Sequence, residues 1–210
     1  DALDLLTEAK LRRRFRPTAR NFSGFYAGLY VAELLDRGTE EYEPFPELWD
    51  LADDALTRFQ NDLDVPKRLW AFLAGFVEAL GEFPATRFCV ECGEELPLDE
   101  MNNLERRILF APVEGGVVCA RCRAAKQFVQ LVPTTIGALK ALEMAQKLAE
   151  APESAKYSAR FDAYSRQTRA EFRALLDGYI CHILGRRPKM QNYGDIIYRS
   201  ESSSRANAMS

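Results

Sequence analysis

Phe88-Cys89-Val90-Glu91-Cys92-Gly93 and Val118-Cys119-Ala120-Arg121-Cys122-Arg123 are two Cys-x-x-Cys pairs with 26 residues between them. Their reading decides the fold. Two thiolates separated by two residues can reach one ion at about 2.3 Å, and the turn's backbone amides offset the sulfur charge. Gly93 suits the tight turn after the second sulfur. Four thiolates at Cys89, Cys92, Cys119 and Cys122 close a tetrahedral shell and leave no position for water, so the site they predict is structural zinc rather than a catalytic metal. A single pair at the start of a helix in a βαβ unit would suit redox chemistry, and that context is absent. Cys181, the fifth cysteine, stands in a helical pattern and reads as a small buried residue.

Outward from the cysteines, residues 85–131 read as short strands bounded by turns. Ile108-Leu109-Phe110 and Gly116-Val117-Val118 flank the Gly115-Gly116 turn. Roughly 40 residues are too few to fold alone, so the metal's binding energy is expected to order them. The rest is helical in period. Phe22, Phe25, Tyr26, Leu29, Tyr30, Ala32, Leu34 and Leu35 predict an amphipathic helix over Thr18–Arg37, ended by Gly38. Pro46 opens a second helix through Phe59. A third begins near Pro66 and, apolar on nearly every side, should lie centrally until Gly81 and Pro84 stop it. Helical period returns at Pro133, breaks near Ala151-Pro152, and continues as one long helix through Phe161 and Phe172 to Gly185.

The expected fold class is therefore mostly α, a helical domain with a small zinc-binding β-rich insert. The division is 18–84 for the first part of the helical domain, 85–131 for the insert and 132–199 for the second part. Residues 1–17 form a leading segment and 200–210 a polar, disordered tail.

The composition sets outer bounds. The chain has 210 residues, 47% of them hydrophobic, with 28 basic against 31 acidic side chains. That is one full domain or two small ones. No stretch approaches the ~18–20 apolar residues that span a bilayer, so no membrane partner is expected. Asp1-Ala2-Leu3-Asp4 is acidic where a signal peptide needs a basic start. The chain opens without an initiator Met, which points to an upstream region outside it.

Charge is unevenly spread. Residues 1–25 hold six basic and three acidic groups, 33–64 two and eleven, and 156–199 nine and four. Arg12, Arg13, Arg14, Arg16 and Arg20 crowd round Phe15, a pattern that offers phosphate forks and a ring to stack on an unpaired base. Arg186, Arg187 and Lys189 follow a helix end, where cations also favour the helix dipole. A charge run suits a solvated face as well, and the acidic middle reads as one. His182 is the lone histidine, and no P-loop, dinucleotide fingerprint or nucleophile elbow occurs. Asp53-Asp54 and Asp62/Asp64 are too close in sequence to share a helix face. No catalytic constellation emerges.

The order of these features resembles the bacterial RecO family of recombinational repair proteins. The resemblance rests on Leu3-Asp4-Leu5-Leu6-Thr7-Glu8-Ala9, on Tyr26-Ala27-Gly28-Leu29-Tyr30-Val31-Ala32-Glu33-Leu34-Leu35, on the two cysteine pairs around Gly115-Gly116, and on Ile183-Leu184-Gly185-Arg186-Arg187. It runs from residue 3 to about 190. It implies an N-terminal OB-fold, of which Leu3–Glu8 would be the last strand and residues 1–17 the end and linker. It also implies a non-enzymatic protein of the cytoplasm and nucleoid that binds single- and double-stranded DNA and anneals complementary strands. With RecR, such a protein loads RecA onto strands covered by single-strand-binding protein. The contrasting reading is a zinc-ribbon subunit of an enzyme whose catalytic domain lies upstream.

Overall fold

The computed structural model describes residues 7–8, 10–11, 13–40, 43–61 and 64–198. The stretch Leu3–Leu6, Arg12 and the tail 200–210 lie outside the described residues.

Three helices open the fold: α1 (Phe22–Gly38), α2 (Pro46–Gln60) and α3 (Val65–Ala79). Asn21 caps α1, its side-chain oxygen accepting from the Gly24 amide at 2.6 Å, so the helix starts after Thr18 rather than at it. The same side chain donates to the Phe59 carbonyl at 2.7 Å. A Cβ at Gly24 would strike that carbonyl, so glycine is what lets α1 approach the end of α2. α3 is central, as its all-round apolarity predicts, with Leu69, Trp70, Phe72, Leu73, Phe76 and Val77 buried. Trp70 stacks on Tyr198 at 5.2 Å and meets Phe161 and Phe172 at 5.5 and 5.7 Å.

The insert supplies β1 (Arg107–Ala111), β2 (Gly116–Val118) and α4 (Ala120–Ala125), followed by β3 (Val132–Thr135). The sheet is antiparallel throughout, in the order β2-β1-β3, with Phe110 opposite both Val117 and Val132. The helix expected from Pro133 starts instead at Ile136. Val132, Thr134 and Thr135 are β-branched and pair with β1, and Pro133 is tolerated because β3 is an edge. Thr135 then caps α5 (Ile136–Glu150), accepting from the Ala138 amide at 3.2 Å. Leu98, Phe110 and Val117 join the same core as the helices, so the sheet rests on the bundle.

The single long helix expected from Phe161 is two. α6 (Ala155–Asp162) ends before a turn, and α7 (Arg166–Ile183) restarts under a Ser165 cap that accepts from the Thr168 amide at 3.0 Å. The apolar period runs through the break because Phe161 and Phe172 both face Trp70. Gly185, at φ 65°, turns the chain out of α7. A 3₁₀ turn (Lys189–Tyr193) and α8 (Gly194–Ile197) bring it back onto α1.

Candidate metal centre and basic edges

The first cysteine pair sits on a turn closed by Gly93 N–H to the Cys89 carbonyl and by Cys89 N–H to the Glu94 carbonyl, both at 2.9 Å. Gly93 adopts φ 69°, as the tight turn requires. The second pair begins at Cys119, which caps α4 and accepts from the Cys122 amide at 3.5 Å. Two backbone links hold the pairs together. Val90 N–H bonds the Val117 carbonyl at 3.0 Å, and Cys119 N–H reaches the Cys89 sulfur at 3.4 Å. Gly116 lets Ala85 and Val90 lie against β2, where a Cβ would collide with both.

All four sulfurs fall within 4.8 Å of one another, and Cys92 and Cys119 are 3.8 Å apart. A tetrahedron with ~2.3 Å metal–sulfur bonds has edges of about 3.8 Å. The donor set and spacing therefore fit one tetrahedral ion. Electrostatics agree with that fit. Burial raises the Cys89 thiol, yet amide donors from Cys119, Cys92 and Glu91 outweigh it and bring it down to about 6. The Glu94 amide and then Arg121 lower Cys92. Cys122 is pushed up to about 12, chiefly by the Cys92 sulfur and then by desolvation. Four thiolates crowded this closely need a cation to coexist.

Beside the cluster a cleft of about 420 Å³ is lined by Leu96, Met101, Ile108 and three arginines, Arg106, Arg107 and Arg123. Arg106 and Arg107 are neighbours in the sequence, and Arg123, sixteen residues on, joins them only in space. Cys181 is half-buried, with its sulfur 3.2 Å from Gln191 Oε1, and His182 is exposed.

The N-terminal arginines do not act alike. Arg13 pairs with Asp53 and donates to Thr57 Oγ1 at 3.2 Å, so the acidic α2 occupies it. The Arg16 backbone N–H donates to Gln60 Oε1 at 2.8 Å. Arg14, Arg16 and Arg20 are exposed, and none of the three is in an ion pair among the described residues. Phe15 lies against Gly28, where a Cβ would clash with it, and its ring stays partly exposed.

Arg186, Arg187 and Lys189 are exposed at the other chain end. Their backbone is fixed to α1, because Glu33 accepts from the Lys189 and Met190 amides at 2.8 Å each, and Arg37 pairs with Glu33 at 2.7 Å. Arg37 also donates to the Arg187 carbonyl at 3.4 Å. Both basic clusters thus border α1, although they lie more than 160 residues apart in the chain.

Fold and site together define a class: a mostly helical domain into which a four-cysteine hairpin module is stapled. Comparison with known proteins supplies the family. The family described as "Recombination protein O C terminal" matches residues 19–191, and the chain belongs to it. A protein named DNA repair protein RecO from Rhodopirellula baltica is 39% identical over 153 residues, covering 73% of this chain and 53% of that protein. Proteins of the same name from Roseiflexus sp. and Myxococcus xanthus are 28% identical over 195 residues and 29% over 182. Those matches cover 93% and 81% of this chain, and 64% and 66% of the relatives. The chain therefore spans about half to two thirds of the length of these curated relatives. No solved structure matches.

Proposed function

We propose that this chain is the helical, metal-stapled part of a recombinational DNA repair mediator. The observation that carries the reading is the family match over residues 19–191, with relatives named as DNA repair proteins. In this reading the protein binds single- and double-stranded DNA and anneals complementary strands. Together with RecR it helps load RecA onto strands covered by single-strand-binding protein. It acts by binding rather than by catalysis, in the cytoplasm at the nucleoid. No described helix is long and apolar enough to cross a membrane. Residues 1–17 close an OB-fold and link it to the helical domain, whose two parts, 18–84 and 132–199, enclose the insert 85–131. Structural zinc is the ion that Cys89, Cys92, Cys119 and Cys122 would hold. Four thiolates in tetrahedral array suit zinc, which would supply folding energy to the hairpin and no chemistry.

Phosphate binding falls to the exposed cations: Arg14, Arg16 and Arg20 on one side of α1, and Arg186, Arg187 and Lys189 on the other. Arg12 belongs to the first group by sequence, and Arg13 is largely engaged by Asp53. The test is binding of full-length protein to single-stranded DNA over a salt series. Replacing Arg14, Arg16 and Arg20 by Ala is expected to weaken binding to all sequences alike. The slope of log affinity against log salt should flatten by roughly 0.7 for each phosphate that is no longer neutralised. An unchanged slope would remove this edge from the DNA-binding surface.

A further inference from the structure

The outward face of α1 is apolar where a helix border should be polar. Phe22 is 62% exposed, Phe25 46% and Leu29 41%. At ~100° per residue these three fall within about 60° of arc, so they form one strip. The inward face is built from smaller and other residues: Gly24, Ala27, Gly28, Tyr30, Val31 and Leu34. Exposure is thus a property of the rings and not of a poorly packed helix. On one side of the strip, Phe15 covers Gly28 and carries Arg14 and Arg16 with it. On the other, Tyr193 stacks on Tyr26 at 4.8 Å, and Tyr26 and Phe25 meet edge to face at 5.6 Å. Tyr193 is itself 42% exposed and follows Arg186, Arg187 and Lys189. Arg20 lies just before the strip, and Asp36 ends it two turns beyond Leu29.

We propose that this strip is a stacking platform for single-stranded nucleic acid, with Phe22, Phe25 and Tyr193 receiving bases while the flanking arginines hold the backbone. The proposal rests on the DNA-binding reading above and adds to it the part of the surface that takes bases rather than phosphates. The face suits this occupant in its rings and in its charge. Open aromatic faces pair with any base, whatever its sequence. Exposed cations lie along both edges, and Arg14, Arg16 and Arg20 are in no ion pair among the described residues, which complements a polyanion passing over the rings. From Phe22 to Leu29 is ~10 Å at 1.5 Å per residue, room for about three nucleotides at ~3.4 Å each. Double-stranded DNA hides its base faces and would gain nothing from the platform.

The experiment uses full-length protein and a fluorescein-labelled oligothymidylate. Phe22→Ala/Phe25→Ala is expected to bind about ten-fold weaker or worse, with its salt slope kept, because stacking releases no counterion. Affinity for duplex DNA and the melting temperature should stay at wild-type values. An oligomer carrying 5-iododeoxyuridine should crosslink at Phe22, Phe25 or Tyr193. Unchanged oligomer affinity in the double variant, while Arg14→Ala/Arg16→Ala/Arg20→Ala still flattens the slope, overturns the platform and leaves the phosphate reading standing. Wild-type protein that does not bind the oligomer at all overturns both. Unchanged affinity with an altered oligomeric state also overturns the platform, and assigns the strip to contact between copies.

Discussion

Cys119 is at once a candidate metal ligand, the cap of α4, and the donor of an amide to the Cys89 sulfur. Ser there would keep the cap but lose the soft thiolate that a tetrahedral sulfur site needs. Cys119→Ser is therefore expected to lower bound zinc from about one equivalent to below a tenth, by elemental analysis after purification in metal-free buffer. Wild-type protein with under half an equivalent would contradict the structural-zinc assignment. Glu171 gives a pH prediction. Thr135 Oγ1 and Gln167 Nε2 donate to its carboxylate at 2.6 and 2.8 Å, and these bonds hold it below the usual carboxylate range. A depressed folded-state value contributes stability that is present above the ordinary glutamate range and lost as pH falls through the folded one. Glu171→Gln should accordingly cost about 1 kcal/mol at pH 7. In urea titrations its deficit relative to wild type should shrink toward zero as pH falls through the acid range. A deficit that stays constant with pH would show that the bonds do not depend on the charge.

Among the elements, α1 carries most of what links the site together, and its seating depends on Glu33. That side chain accepts from two consecutive backbone amides, Lys189 and Met190, and so fixes the start of the 3₁₀ turn that delivers Tyr193 to Tyr26. Hydrogen bonds to a charged acceptor contribute about 1.5–3 kcal/mol. Glu33→Ala is expected to cost about 2 kcal/mol, and to speed hydrogen exchange at Lys189 and Met190 while the amides of α7 keep their protection. Protection at those amides equal to wild type would show that packing, not Glu33, holds the segment. Elements differ in how far the sequence alone makes them legible. The cysteine hairpin is readable because its geometry is local: spacing, turn glycine and strand residues sit within one stretch. The direction of α1 is not, since an apolar period locates a helix without saying which apolar side faces inward. Gly24 and Gly28, one turn apart, are the available signal, because small residues mark the side of closest approach. The docking of residues 13–16 has no local signal at all. Its partners, Asp53, Thr57 and Gln60, lie some 40 residues away in sequence.

Over the whole molecule the open physical question is whether the metal module is a separate lobe or a limb of the helical core. Sequence length alone argues for a lobe that needs the ion to fold, since ~40 residues bury too little surface. Its strands point the other way. Phe110 is fully buried, packs edge-on against Tyr179 of α7 at 5.5 Å, and belongs with Leu98 and Val117 to the core that contains Trp70 and Leu142. Tyr179 in turn donates to the Glu82 carbonyl at 3.0 Å, which ties the entry of the insert to the bundle. Of the four cysteines in the turns, only Cys89 is buried. Metal removal should then fray the turns while the sheet stays seated on the helices. Phe110→Ala is expected to remove about 3–5 kcal/mol from global stability, the range for emptying a buried aromatic site. Helical circular dichroism should report that loss as one cooperative transition. The same variant should also expose its cysteines faster to a thiol reagent in the presence of chelator, because β1 carries the hairpin that joins both turns. A two-step unfolding curve, with the helical step at its wild-type midpoint, would mean that the sheet and bundle fold independently despite their shared core.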